Sequence, residues 1–458
     1  MKTSYWKAFL PEYKVLLKLG SPILLAQLGT ILLAFSDTLM VGHYGVNELA
    51  ASAFVNSLYL VSNVMLIGLS GGVTPLVGAL FSRGANREVG RTTRGALQVN
   101  LIMALIFTAL MAGLYFLLPY FGQEEDLMPL IRSYYLVLLP QPLMIAAFFV
   151  IMQTSNGVNL TSLPMWVTLF MVMLNIAGNW LLIYGHCGLP EWGLFGAGVA
   201  TILSRLIALV IILLCFRMLR RFRNYQEGFL DGSRLGQVRR NVWFTSWPLM
   251  IQSGLECLLW SVGVVVVGWF GAIQLAAYQV VNTIGQLGFM IYMSFGTAVT
   301  IRVANYAGLK DEPGAGRAAR AGLHINLVLA TLASILFIFV ARPLINLFVN
   351  TDPEVGDGLA VVASALGLVV PLIFYQYMDA VQITMCNAIR GTSQVRPLMW
   401  ISLISYVIIG IPMLLLFAAG FDGGNVGAYW SFNVALLAMS ILSIIVFKRA
   451  RFKEVRMD

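Results

Sequence analysis

Twelve stretches of this chain run for more than twenty residues with few or no charges. They cover approximately 15–41, 47–80, 91–118, 127–155, 163–184, 194–218, 241–268, 275–308, 318–348, 358–389, 396–419 and 425–448. About 20 apolar residues of helix cross the hydrocarbon of a bilayer. Inside that layer only helices and closed barrels satisfy their own backbone polar groups. The 458 residues are 59% hydrophobic and 11% charged, against about 25% charged in soluble domains. The deficit runs along the whole length and leaves no polar stretch for a separate soluble domain. The expected fold is an all-α polytopic membrane protein with twelve transmembrane helices. Several runs exceed the minimum length, which predicts tilted or bent helices.

The charges orient these spans. Of 29 Lys and Arg, 25 lie at the termini and in the even-numbered connections, including "SRGANREVGRTTR" (82–94), "RMLRRFRNYQEGFLDGSRLGQVRR" (217–240) and the tail "KRARFKEVRMD". Arg132 and Arg342 fall on the other side, and Arg205 and Arg302 fall within spans. The opposite side holds nine acidic residues, among them Glu124, Glu125, Asp126, Asp352, Glu354 and Asp357. The positive-inside rule then puts both termini in the cytoplasm. The net charge of +9 is thereby a topology signal, and a nucleic-acid partner is not expected. A cleaved signal peptide is not expected either, because the first apolar run is too long and carries Asp37. Trp6, Tyr13 and the nearby lysines read as an interfacial lead-in. The four cysteines show no metal or redox spacing.

The chain resembles itself at an offset of 226. "GHYGVNELAASAFVN" (42–56) lies over "GWFGAIQLAAYQVVN" (268–282), Pro22 over Pro248, Arg91, Arg94 and Asn100 over Arg317, Arg320 and Asn326, and "QPLM" near 141 over "VPLI" near 370 with some drift. Two pseudo-symmetric six-helix bundles are expected: an N-lobe of helices 1–6 (1–218), a basic cytoplasmic linker (219–240), and a C-lobe of helices 7–12 with its basic tail (241–458). Six spans per repeat give both halves the same orientation, a relation transporters use to bind substrate between halves.

Three acidic residues lie inside spans: Asp37, Glu256 and Asp379. An aspartate at a helix centre costs about 2.5–3.5 kcal/mol on insertion scales, and no Lys or Arg stands one turn away in sequence to offset it. A carboxyl in such a place can hold or release a proton, or with neighbouring oxygens hold a hard cation such as sodium. Intramembrane acids are therefore candidates for ion coupling. Tyr375, Gln376, Asp379 and Gln382 share one helical face. Gln252, Ser253 and Trp260 flank Glu256, and Asn175 and Asn179 stand at i, i+4. The second span carries a stripe of Ser52, Asn56, Tyr59 and Asn63, and its repeat mate carries Gln279, Asn282, Gln286 and Phe289. Such stripes line a wet cavity or a helix contact. Asn56, Gln279, Asn282, Phe289, Tyr375, Gln376 and Gln382 are taken as substrate-cavity candidates. The 21 Met and many aromatic residues suit varied flat or cationic ligands, although lipid-facing helices are rich in them too. Pro22, Pro248, Pro371 and Pro412 interrupt spans as bending elements would.

"AFSDTLMVGHYG", "NIAGNWLLIYG", "QLAAYQVVNTIGQLGFMIYMSFGTAVTIRVANYAG" and "YQYMDAVQITMCNAIRG" together resemble the multidrug and toxic compound extrusion (MATE) family, NorM-type branch, over nearly the whole chain. The resemblance implies two six-helix lobes around a central cavity, in the bacterial cytoplasmic (inner) membrane. It implies export of organic cations and amphipathic drugs in exchange for inward Na+ or H+, with no cofactor, by a functional monomer among membrane lipid. Carried over, Asp37 matches the first-helix aspartate, and Asn175 and Asn179 the fifth-helix asparagines. Glu256 and Asp379 match the paired C-lobe acids, which would be the metal ligands if sodium is the coupling ion. Phe289 and Tyr375 match aromatic positions near that site. Residues around Glu256 match less closely.

No G-x-x-x-x-G-K-[ST] motif is present, so an ion gradient is the expected energy source. An enzyme is not expected, since neither HExxH nor a nucleophile and base on facing helices occurs. A lipid-linked precursor flippase of related two-lobe architecture is the alternative, but it calls for a base-lined core.

Overall fold

The computed structural model describes residues 2–349 and 357–450. Asp352, Glu354 and the tail beyond Ala450 lie outside the described residues, as does the side chain of Trp6. All regular structure among the described residues is helical. The helices are α1 (Lys2–Tyr44), α2 (Val46–Ser70), α3 (Val73–Ser82), α4 (Asn86–Tyr115), α5 (Met128–Leu138), α6 (Gln141–Gly157), α7 (Ser162–Ile183), α8 (Gly193–Met218), α9 (Arg223–Leu230), α10 (Leu235–Gly268), α11 (Ala272–Gly308), α12 (Glu312–Asn346), α13 (Gly358–Gly367), α14 (Val369–Gly391), α15 (Arg396–Ser402), α16 (Ile411–Leu414) and α17 (Gly424–Arg449). Among the described residues eleven segments are long and apolar enough to span a bilayer, and α13 with α14 makes a twelfth, bent by 47°. Pro371 accounts for the bend. It has no N–H to give the carbonyl of Gly367, where α13 ends, and its ring crowds that carbonyl. Pro412 sits in short α16 between two wider-wound π-helical stretches, Leu403–Gly410 and Leu415–Gly420. Large apolar side chains such as Met173, Val265 and Phe339 are exposed on the spans, as lipid-facing helices require.

The chain forms two compact units. One joins residues 2–24 to the described residues from Ile251 onward, and the other holds Leu25–Met250. The boundaries fall inside α1 and α10, two residues after Pro22 and two after Pro248, the repeat-related prolines within those helices.

The repeat is visible in the packing. Thr74 Oγ1 donates to the backbone oxygen and Oε1 of Gln153 at 3.0 and 2.7 Å, and its repeat mate Thr300 donates to the backbone oxygen and Oδ1 of Asn387 at 2.8 and 3.0 Å. Gly157 packs on Val77 as Gly391 packs on Val303. Helices α8 and α17 both begin on a glycine with φ +52, Gly193 and Gly424. The offset between repeat mates is thus 226 early in each half, 234 at the ends of α6 and α14, and 231 in α8 and α17. This is the physical form of the drift visible in the sequence.

In the unit of Leu25–Met250, helix α9 of the linker lies directly on α4. A Cβ on Gly90 would meet the Tyr225 carbonyl oxygen at 2.0 Å, and one on Gly228 the Arg87 carbonyl oxygen at 1.9 Å, so two backbones cross where only glycine fits. Arg91 pairs with Asp231 and donates to Glu88 at 2.5 Å and Ser233 at 2.9 Å, while Arg94 donates to the carbonyl of Leu230 at 3.0 Å. The Ser233 N–H and the Arg91 guanidinium hold the Asp231 carboxyl well below the usual carboxylate range. In the other unit, Arg302 forms a two-pronged ion pair with buried Glu12 at 2.8 and 3.1 Å, joined by Tyr306. This gives the intramembrane Arg302 a structural place.

Candidate functional site

Each unit holds its own carboxylate site. In the unit of Leu25–Met250, α1 presents Asp37 to α7. Asn179 Nδ2 donates to Asp37 Oδ1 at 2.5 Å and to Asn175 Oδ1 at 3.2 Å, and Asn175 Nδ2 donates to Thr201 Oγ1 on α8 at 3.2 Å. Asn175 and Asn179 are fully buried. The i, i+4 spacing read from sequence therefore aligns two amides on one face of α7, and Asn179 donates from that face both to the carboxylate and to Asn175. Asn179 Oδ1 is left buried without a partner, an unused oxygen beside the acid. One turn beyond Thr201, Arg205 is set electrostatically against both Asp37 and Tyr134, and its Nε is buried and unpaired. Asn56 is exposed on α2 and faces Tyr134.

In the other unit the site is built on α14. Asp379 is 1% exposed, Gln376 0%, Gln382 3% and Tyr375 6%, so the face the sequence defined points into the bundle. Tyr292 Oη donates to Gln376 Oε1 at 2.8 Å, and Gln382 Nε2 donates to Tyr406 Oη at 3.0 Å. Asp379 Oδ2, Gln382 Oε1 and Gln376 Nε2 are buried and unpaired. Glu256 on α10 is half-buried and interacts electrostatically with Asp379 across the helix pair. Tyr375 and Tyr406 face both acids. Above them Tyr375 meets Trp260 edge to face at 5.7 Å between ring centroids, and Trp260 lies 4.8 Å from Phe432. Gln376 fits because α11 carries Gly288: a Cβ there would stand 2.2 Å from Gln376 Oε1. Phe289, half-buried, packs beside Tyr292 and Ala380. Gln279 is exposed and Asn282 half-buried.

One expectation is corrected. Two of the three acids, Asp37 and Glu256, do have basic counterparts, which sequence spacing hid because they come from other parts of the fold. Arg205 acts on Asp37 from α8. Arg390, at the end of α14, acts on Glu256 and donates through Nη2 to Gln252 Oε1 at 3.2 Å, one helical turn before that acid. Arg205 carried a usable signal, since an intramembrane arginine is itself a rarity. Arg390 carried none, because it read as one more loop charge. Thr201, Tyr134, Tyr292 and Tyr406 were missed as well, being ordinary residues of apolar helices until the fold aligns them.

Chemically, both sites offer what a small cation or a proton needs: a carboxylate away from bulk water with unused oxygens nearby. In the α14 site two carboxylates repel one another, so the arrival of one positive charge relieves both desolvation and repulsion.

The chain matches the model of the MatE family over residues 22–181 and 248–416. Both matched segments begin on the repeat-related prolines. It is 29% identical over 404 residues to a probable multidrug resistance protein NorM of Deinococcus radiodurans, covering 87% of each chain. It is 28% identical over 404 residues to the multidrug resistance protein NorM of Vibrio cholerae, covering 88% of this chain and 86% of that one. Its fold is similar to that of a eukaryotic MATE transporter, AtDTX14, with a TM-score of 0.85 over 97% of both chains at 18% identity.

Proposed function

The chain belongs to the MatE family, and from that premise we propose that it is a multidrug efflux antiporter that exports organic cations and amphipathic drugs in exchange for inward Na+ or H+. It is a multi-pass membrane transporter and not an enzyme. Its place is the bacterial cytoplasmic membrane, with both termini in the cytoplasm, because the basic residues gather in the even-numbered connections. It works as a monomer among lipid, each chain carrying both carboxylate sites.

The observation that carries this reading is the α14 site. Asp379 is almost wholly buried with one oxygen unpaired, beside a second acid. Such a group is stable in a membrane only while something positive visits it. In the outward-open state the acids take up the coupling ion, and the neutralised protein returns inward. There the ion leaves and cationic cargo takes its place. The two occupants exclude each other, and this supplies the differential affinity that an alternating cycle needs. Asp37 with Asn175 and Asn179 offers a second ion site of the same chemistry. Glu256 and Asp379 would be the sodium ligands if sodium is the coupling ion. Anionic cargo is disfavoured, because the two half-buried arginines beside these sites are each set against an acid.

The test is dye transport in proteoliposomes with sodium and proton gradients imposed separately. Asp379→Asn should insert and fold yet transport nothing under either gradient. Wild-type transport by that variant removes the central assignment.

A further inference from the structure

The two halves differ in a correlated way. Glu256 has Thr30 as its repeat mate at offset 226, and Arg390 has Asn156 at offset 234, the register fixed by the matching Thr74 and Thr300 contacts. Asp37 has Gly263 at offset 226, and Arg205 has Leu436 at offset 231, the register of α8 and α17. Where a half carries the acid it also carries the arginine, and where it lacks the acid it lacks the arginine. Two independent acid and arginine pairs follow this rule, in different places of the fold.

Arg390 is placed to act on Glu256 without closing a salt bridge on it. One of its nitrogens is anchored by Gln252 at 3.2 Å, and Nε is buried and unpaired. Glu256 makes no hydrogen bond among the described residues. The titratable groups that face it are Asp379, Tyr375 and Arg390 of α14, Cys386 of the same helix, Tyr406 of the following π-helical stretch, and Cys257 of its own helix. Arg390 is the one cation in that set.

We propose that Arg390 is the internal countercharge of Glu256: it compensates the carboxylate once the coupling ion has left, and so sets the concentration at which that ion is released. This rests on the reading that Glu256 takes part in ion coupling. Two positive charges that share one carboxylate compete, so the affinity of the arriving ion carries the cost of the resident one. Arg390 thereby weakens ion binding and permits turnover against cytoplasmic concentrations of the ion.

The experiment measures ethidium transport in proteoliposomes as a function of Na+ at fixed pH, and of pH without Na+. Arg390→Gln keeps a donor for Gln252 and removes the charge. It should lower the half-saturating concentration of whichever ion drives transport by roughly fivefold or more, with a lower maximal rate because release slows. Arg390→Lys should stay near the wild-type half-saturation. In a Glu256→Gln background, Arg390→Gln should produce no further shift. An unchanged half-saturation in Arg390→Gln, or a shift that persists without Glu256, overturns the proposal. Where the Gln variant accumulates poorly, Gln252→Leu releases the guanidinium from its anchor and must shift the same constant, and an unchanged constant again overturns it. Failure of the underlying reading looks different: Glu256→Gln alone would then leave ion dependence as in the wild type.

Discussion

Gly288→Ala tests whether the acid-bearing face of α14 is held by its fit against α11. The new Cβ would stand 2.2 Å from Gln376 Oε1 and 3.0 Å from its Cδ, so the amide must retreat by about 1 Å to reach ordinary contact. It has little room to do so. Gln376 is fully buried, and its Oε1 already accepts from Tyr292 at 2.8 Å. Losing that bond costs about 0.5–1.5 kcal/mol, and overpacking a tight core about 1–3 kcal/mol. Against these, alanine gains about 0.8–1 kcal/mol over glycine in a helix. The balance is a destabilisation of about 1–3 kcal/mol, read as a lowered unfolding temperature of the purified protein. Asp379 lies one turn beyond Gln376, so the displacement should also impair ion-driven dye transport although no carboxylate is touched. Adding Gln376→Ala removes the obstacle but also the acceptor of Tyr292, so the double variant should be destabilised by clearly less than the sum of the two single variants, a large interaction term in the double-mutant cycle. A Gly288→Ala variant with wild-type melting and transport would refute the reasoning. So would single-variant losses that simply add in the double variant.

Gly90→Ala should dislodge the linker helix, because its Cβ meets backbone at 2.0 Å and not a movable side chain. Hydrogen exchange of α9 should rise severalfold, while α4 keeps its protection. The pH dependence of the same segment follows from Asp231. Its carboxyl is held below its ordinary value of 3.8 by the Ser233 N–H and Arg91, so its contribution is complete above that value and fades as pH falls through the depressed one. Intrinsically corrected exchange of α9 should be flat from neutral pH down to about 4 and rise only below that, and Asp231→Asn should show the loosened state already at neutral pH. Thr300→Val should lose the one hydroxyl donor shared between the two oxygens of Asn387, and Thr74→Val the one shared between the two of Gln153. Each should cost about 1–2 kcal/mol, and similar melting shifts in the two variants would confirm that the repeats are stabilised alike.

How much was legible depended on the range of the interaction. The spans were legible because the bilayer imposes its length on any helix that crosses it, and a bend at Pro371 followed from a missing N–H. The polar face of Tyr375, Gln376, Asp379 and Gln382 was legible because helical spacing is local. The partnership of Asn179 with Asp37 needed the family resemblance, as 142 residues separate them. Arg390 beside Gln252, 138 residues away, had no local signature at all. Nor did Gly288, whose role is to be absent where an amide passes. Close approach of distant segments is set by packing, and a single sequence shows the small residue without what fills the space.

The boundaries in α1 and α10 tie the two repeats to one continuous chain. Its opening helix begins in one compact unit and ends in the other, and so does the first helix of the second repeat. A chain severed in the basic linker would yield fragments that each lack a piece of their own core and hold a piece of the other's. Two separate half-length chains would have to exchange these leading segments to complete their units, an exchange that the continuous chain makes within itself.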